Sequence, residues 1–461
     1  MRLNFNRRTC GSVLVGVLWC VVLLAVMVIS VLHTARMDLL TAKNYGDRIQ
    51  ARYLALAGVE KAKALLYQEA HLRSRSGKNH TGELYDAPDL FREVPLGRGV
   101  FSVLRGARQD EGGGVAYGVS DEESRLHLNM ADVQMLAKLE GMTPQLAAAI
   151  VDWRDDDNSP SPGGAEAEFY LSLKPPRQPR NAPFLTVREL LMVRGVTPEL
   201  VFGRDVQQNG FLESAEDAPD QSARSQARAA DIDTGWAGML TVDSMTDNVN
   251  ASGVDRVNVK KAEEPEIVQV PGISADIARA ITSFRSRGQL ESIASLLDVT
   301  PPQNNQTGRN GPGARGGQRQ RGPDQVETPG QKIISPELLM NIADDITTDE
   351  GATKPGLINI NTASLSVLMC LPGVDRELAQ AIISYRRSTG YFQNIAWLLK
   401  VPGVSEDMFK QVAPLITARS ETFRIISEGR VNSTGARQRI QAIVHIGRSR
   451  VMTLSYREDN L

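Results

Sequence analysis

Apolar side chains run along this chain in three rhythms: unbroken at the start, alternating in short stretches near residue 100 and after residue 420, and helical in between. No Asp, Glu, Lys or Arg lies between Arg8 and Arg36, and almost every residue from Val13 to Val31 is apolar. About 20 such residues cross a bilayer as a helix. Beyond the run, alanines and larger apolar residues recur at helical spacing from Tyr45 through Ala62. The pattern predicts one transmembrane and stem helix over 12–75. Arg2, Arg7 and Arg8 precede the apolar run, which orients the N-terminus to the cytoplasm and the bulk outside. A cleaved secretory signal has an apolar core of about 7–15 residues and a small-x-small cleavage site. This run is longer and no such site follows. A plain signal anchor is the simplest alternative.

The alternating stretches read as strands. Arg98–Leu104 and Val115–Ser120 flank Gly112-Gly113-Gly114, giving a first sheet part over 95–128. Phe423–Gly429, Ile440–Ile446 and Val451–Tyr456 give returning strands over 421–457. Sheet on both sides of a long helical stretch predicts an insertion into one small antiparallel sheet. The expected fold class is α+β: a long N-terminal helix, a small antiparallel sheet, and a large inserted all-α domain.

The middle of the chain repeats itself three times. The copies begin at Gly141, Gly272 and Gly373. Each places Ala six, Ile nine, an aromatic twelve (Trp153, Phe284, Tyr385) and Arg thirteen residues after its Gly. Ala, Ile and the aromatic lie three apart and form one helical stripe. Gly before the stripe suits a tight turn that needs an unusual backbone angle. An Asn stands upstream of each: Asn129, Asn258 and Asn361. The Asn-to-Gly spacing is twelve in the first and third copies and fourteen in the second, which reads as a two-residue insertion. A second turn follows at Gly195 and at Gly403. These are helix-hairpin-helix units, expected over 129–204, 236–300 and 333–417. Linkers of polar composition, 205–235 and 301–332, separate them. Met239–Asp243 reads as a strand at the edge of a repeat.

Composition narrows the chemistry. A formal net charge of −2 argues against a general binder of nucleic acid or anionic lipid. Three cysteines (Cys10, Cys20, Cys370) make no disulfide framework. The five His show no metal spacing, and neither a nucleophile elbow nor a phosphate-binding loop with Lys occurs. An enzyme is not expected. One candidate site stands out: Asp152-Trp153-Arg154-Asp155-Asp156-Asp157-Asn158 followed by Gly163-Gly164-Ala165-Glu166. Close carboxylates on a Gly-rich loop suit Ca²⁺, which takes six to eight oxygens. The alternative is a solvated acidic loop with Asp152 or Asp155 pairing Arg154.

The N-terminal pattern resembles the type IV pilins and pseudopilins: a short basic leader ending in Gly11, then a helix half in lipid and half out. The resemblance implies a leader over 1–11, cleavage between Gly11 and Ser12 by a prepilin peptidase, and methylation. Most members carry Glu at the fifth mature position; here that position is Gly16. A subunit lacking this carboxylate suits a filament tip rather than its body. Together with the sheet and inserted helical block, the chain resembles the K-type minor pseudopilin of type II secretion. That family's Asp-Trp-x-Asp-x-Asp and Gly-Ala-Glu motif lies at calcium sites, which implies ligand roles for Asp155, Asp157 and Glu166, with Asp152 and Asp156 as further candidates. The resemblance also implies other minor pseudopilins as partners through the stem helix, contact with inner-membrane secretion machinery, and a single-pass inner-membrane location with the bulk in the periplasm.

Ile358–Val404 also resembles the DNA-binding module of competence proteins. In such modules, N–H groups at the Gly turn hold a phosphate and nearby cations add affinity. Charge opposes that here. Arg256–Val299 holds six basic and six acidic residues, and Ile358–Ile416 five and four. Asp276, Asp375, Glu377, Glu406 and Asp407 sit at the turns. The expected function is a tip-capping minor pseudopilin that initiates assembly and supports protein export. The alternative is a membrane-anchored DNA-binding protein for DNA uptake.

Overall fold

A computed structural model describes residues 10–77, 83–106, 114–205, 208, 234–301, 332–448 and 450–460. Helix α1 (Cys10–Ser76) is continuous and about 100 Å long at 1.5 Å per residue. It is the one helix, among the described residues, long and apolar enough to cross a membrane. The Gly11–Ser12 bond falls inside it. The rest of the expected leader, and nearly all of the linkers at 205–235 and 301–332, lie outside the described residues.

The C-terminal half of α1 buries Ala51, Leu54, Ala55, Val59, Ala62 and Leu66, one stripe at three- and four-residue spacing. Glycine lets the backbones come close there. A Cβ on Gly58 would lie 2.1 Å from Ser427 Oγ, and one on Gly429 2.1 Å from Ala51 O. After α2 (Pro88–Phe91) come β1 (Val94–Leu96), β2 (Gly99–Gly106), β3 (Val115–Tyr117) and β4 (Ser120–Asp121).

The chain then leaves the sheet for three repeats. The first runs through β5 (Leu126–His127), α3 (Val133–Leu136), α4 (Pro144–Arg154), α5 (Ala167–Leu171), a 3-10 turn (Val187–Met192), α6 (Pro198–Phe202) and β6 (Leu240–Thr241), followed by β7 (Met245–Asp247). The second runs through β8 (Val257–Asn258), α7 (Glu264–Ile267), α8 (Ala275–Ser286), a 3-10 turn (Ile293–Asp298), α9 (Pro336–Ile342) and β9 (Ile346–Thr347), followed by β10 (Thr353–Pro355). The third runs through β11 (Ile358–Asn359), α10 (Leu365–Met369), α11 (Arg376–Thr389), a 3-10 turn (Ile395–Lys400), α12 (Glu406–Val412) and β12 (Ile416–Thr417). One apolar core joins all three, from Leu126 to Ala418.

The block is not all-α. Each repeat is closed by a two-residue parallel pairing of its first and last strands: Leu126 opposite Leu240, Val257 opposite Ile346, Ile358 opposite Ile416. These short strands satisfy backbone groups where the two ends of a repeat meet in the core, a need that helical periodicity does not display.

The same pairings move the expected boundaries. The Met239–Asp243 stretch does form a repeat-edge strand, β6, but it closes the first repeat rather than opening the second. Trp236 supports this by donating its indole N–H to Glu140 O at 2.9 Å. Likewise α9 and β9 complete the second repeat, not the third. The 302–331 stretch is therefore an insertion inside the second repeat, pinned at its base where Ile333 N donates to Val299 O at 3.0 Å.

The returning strands are β13 (Thr422–Val431), β14 (Arg437–Ile446) and β15 (Val451–Asn460). Among the described residues the main sheet has seven strands, ordered β1-β2-β13-β14-β15, with β3 beside β2 and β4 beside β13. All these pairs are antiparallel. Ile426 lies opposite Leu104 across the whole insertion. A second core of Val59, Phe91, Val103, Ile425, Ile440 and Val444 sits between α1 and this sheet.

Candidate functional site

The hairpin turns come first, because they hold everything else. Gly141, Gly272 and Gly373 have φ of +75°, +96° and +69°, the left-handed region that a side chain disfavours. Two residues later a side chain caps the next helix: Thr143 accepts from Leu146 N, Ser274 from Ile277 N, and Asp375 from Leu378 N. Gly195 and Gly403 make the second turns at φ +77° and +93°. Each turn packs on the opposite hairpin: a Cβ on Gly141 would meet Leu200, and one on Gly195 would meet Leu146.

The repeat arginines share one role. Arg154 donates to Leu128 O and to Ala131 O, the latter at 2.5 Å. Arg285 donates to Val259 O at 3.3 Å and Ala262 O at 2.5 Å. Arg386 donates to Ile360 O at 3.0 Å. Leu128, Val259 and Ile360 are all thirteen residues before their turn glycines. No two-residue insertion therefore separates the copies. Asn258 corresponds to His127 and Asn359, and Lys260 takes the place of Asn129 and Asn361. Those two asparagines bracket a phenylalanine main chain: Asn129 with Phe184 at 2.8 and 2.9 Å, Asn361 with Phe392 at 2.8 and 3.0 Å.

The acidic loop hangs from the end of α4. Asp152 and Glu166 are buried, and Asp155 is half-buried. One oxygen from each lies within 4.8 Å of the others. Asp152 Oδ1, Asp155 Oδ1 and both Glu166 carboxylate oxygens are buried without a hydrogen-bond partner. Unpartnered buried acceptors of like charge are costly. Burial, then Asp155, Asp152 and Asp157, push the Glu166 carboxyl up to about 7. Burial and Asp157 raise Asp155 as well. Arg154, pointing at its two carbonyls, does not fill the cluster. Gly164 is needed for the approach, since a Cβ there would lie 1.9 Å from Asp152 Oδ2. Asp157 is exposed and accepts from Ser159 N at 2.7 Å. Asp156 is exposed and outside the group.

Sequence reasoning missed Asn181. Its Nδ2 donates to Asp157 O at 2.6 Å and Asn158 Oδ1 at 3.2 Å, and its own Oδ1 is buried and unpartnered. A φ of +44° at this non-glycine residue was the kind of feature only coordinates show. A second acidic group, Asp247, Glu421 and His445, differs in kind. Arg419 at 3.4 Å and Arg73 at 3.5 Å already face Glu421, and His445 Nε2 lies 3.3 Å from Asp247 Oδ1. Internal pairing satisfies it.

The acidic loop falls wholly within residues 120–202, which match the family model of type II secretion system protein K. The chain is 30% identical over 213 residues to the type II secretion system protein K of Klebsiella pneumoniae, covering 42% of this chain and 60% of that protein. It is also 25% identical over 197 residues to the type II secretion system protein K of Pectobacterium carotovorum subsp. carotovorum, covering 41% of this chain and 59% of that protein. Residues 354–417 match the helix-hairpin-helix motif. The chain is 42% identical over 66 residues to ComE operon protein 1 of Bacillus subtilis, covering 14% of this chain and 32% of that protein. The chain thus spans less than two thirds of the length of these curated relatives. Among solved structures, it is similar to a chain of the GspK-GspI-GspJ complex from enterotoxigenic Escherichia coli, with a TM-score of 0.43 and 14% identity, covering 89% of this chain and 98% of that one.

Proposed function

We propose that this chain is a protein K of type II secretion, a non-enzymatic minor pseudopilin that caps the tip of the pseudopilus, initiates its assembly and so supports protein export across the outer membrane. One observation carries the reading: a single stem helix and one small sheet bear an inserted block running from Glu122 to Glu421. A head of that bulk has no room to recur along a close-packed fibre. Gly16, where the family resemblance calls for Glu, supports an end position. The helix from Ser12 would anchor the chain in the inner membrane, N-terminus cytoplasmic and head periplasmic, with sister pseudopilins beside the stem. Prepilin peptidase would act at Gly11–Ser12, followed by methylation, and the inner-membrane secretion machinery would take up the product. The test is the N-terminal sequence of the membrane-extracted protein. Ser12 as first residue supports the reading, and an intact leader contradicts it.

We also propose that Asp152, Asp155 and Glu166 hold Ca²⁺, with Asp157 and Asn181 at the rim. The four orphaned carboxylate oxygens support that fit, and the ion would supply the positive charge they lack. Asp156 is left out: it is exposed and, unlike Asp157, is not among the charges that act on Glu166. Calorimetry with Ca²⁺ should show binding that Glu166→Gln removes.

The DNA-uptake alternative draws on the match at residues 354–417. The turns speak against it. Pro144, Pro198 and Pro336 occupy the first helical positions and provide no N–H there. Asp375 sets a carboxylate on the α11 N-terminus, where a phosphate would sit. A DNA titration showing no salt-dependent binding supports the packing role, and binding that weakens steeply with salt overturns it.

A further inference from the structure

The sheet and the inserted block meet where the chain leaves β4 and returns into β13, and buried carboxylates line the meeting. Asp121, Glu122, Glu123 and Glu421 are each at most 3% exposed. Most have charged or dipolar partners. Glu122 faces Arg424 at 2.7 Å and Arg125 at 3.9 Å, and accepts from Thr241 Oγ1 at 2.5 Å. Glu421 faces Arg419 and Arg73 and accepts from Asp247 N. Asp247 pairs with His445, whose other ring nitrogen lies 3.3 Å from Thr422 Oγ1. Asp121 takes hydrogen bonds from Asn359 Nδ2 at 3.1 Å, Ser420 Oγ at 2.5 Å and Thr362 Oγ1.

Glu123 is the exception. Its carboxylate accepts from two backbone donors, Met245 N at 3.3 Å and Thr422 N at 3.2 Å, and lies beside Asp121. Neither member of this pair faces a guanidinium among the described ion pairs. Two buried like charges cannot both stay ionised in so dry a place, so the pair keeps a proton. Burial and then Asp121 hold the Glu123 carboxyl well above the usual carboxylate range. Once Glu123 is neutral, Asp121, Glu122, Glu421 and Asp247 each have a guanidinium, an imidazole or a set of hydroxyl and amide donors. The other charges around the pair are Arg125, whose field reaches Asp121, and Glu69, Arg73 and Arg419, which line the cavity beside it; Arg424 and Asp243 act on Glu122, His445 bonds Thr422, and Asp344 pairs with Arg419. A cavity of about 80 Å³ opens beside Asp121, between Leu66 and Arg73 of the stem, Asn359 of the third repeat and Ser420 just before β13.

We propose that this junction is a proton-sensitive latch: one proton, held by Glu123 against Asp121, keeps the inserted block docked on the sheet and stem, and its loss loosens the dock. Glu123 binds its proton more tightly folded than unfolded. Its stabilisation is therefore complete below the unfolded carboxylate value and is lost as pH rises through the folded one. Glu122, held below its ordinary value by Arg424 and Arg125 against its own burial, acts oppositely and loses its contribution as pH falls. The dock is firmest between the two.

Hydrogen exchange on the full chain in detergent micelles tests the latch. The reporters are the amides of Glu122, bonded to Thr422 O at 3.0 Å, and Asn359, bonded to Glu123 O at 2.8 Å. With intrinsic exchange corrected, their protection should fall as pH rises in the wild type. Glu123→Gln, which keeps the neutral form at all pH, should hold protection about tenfold higher for each pH unit past the transition. An identical pH response in both proteins overturns the latch. Should the variant fail to fold, infrared spectra of the wild type decide. A protonated-carboxyl band at neutral pH that vanishes together with amide protection supports the proposal, and its absence refutes it.

Discussion

The first and third repeats share a frame and differ in what hangs from it. Both have a left-handed turn glycine, a capped helix, an arginine reaching back to carbonyls, and an asparagine bracketing a phenylalanine main chain. Between the arginine and that phenylalanine, the third repeat needs only a tight connection through Gly390. The first inserts Asp155–Pro183, and with it the acidic loop. The same two anchors, Asn129 and Arg154, fix both ends of that loop onto the core. The difference teaches that the hairpin frame is the carrier, and that the buried acidic cluster is lodged in one connection. It also explains why the third repeat matches the general helix-hairpin-helix motif: it is the frame with least added.

The comparison breaks first at the arginines. Arg154→Ala and Arg386→Ala each strip buried carbonyls of a charged donor, and each should cost about 3 kcal/mol in denaturant unfolding. Similar losses mean equivalent frames. A loss at Arg386 only would mean that the acidic loop holds the first repeat by itself. Calcium should then separate the two repeats. Without metal, the raised Glu166 contributes stability that is full at low pH and fades as pH rises through about 7. The rise in melting temperature on adding Ca²⁺ should therefore grow from pH 5 to pH 8, and Glu166→Gln should flatten it. A gain independent of pH would place the ion elsewhere. Smaller effects belong to the turns. Gly373→Ala forces a side chain to φ +69°, at about 1–2 kcal/mol. Removing the cap in Ser274→Ala should cost about 1 kcal/mol, read by the same unfolding curves.

Much of this frame was legible in the sequence, because a helical stripe recurs at fixed spacing from each glycine. The closing of the sheet across the insertion was legible too, since both flanks alternate with period two. The register of the second repeat was not. Its upstream asparagine stands two positions from where the other copies place theirs, and only the carbonyls reached by Arg285 show which residue corresponds to which. Its last helix was assigned to the wrong repeat because the long insertion before Ile333 hides the spacing. The burial of the carboxylates at 121–123 was not legible, since it arises from chain segments almost 300 residues later. The acidic loop was visible as composition, whereas the orphaned oxygens and the part of Asn181 depend on distances that no spacing encodes.

The central claim is that a single stem carries a head too bulky to recur along a filament. Labelling this chain on assembled pseudopili and locating the label by electron microscopy tests it directly. The account predicts label at one end of each filament only. Label repeating at regular intervals along the shaft would contradict it.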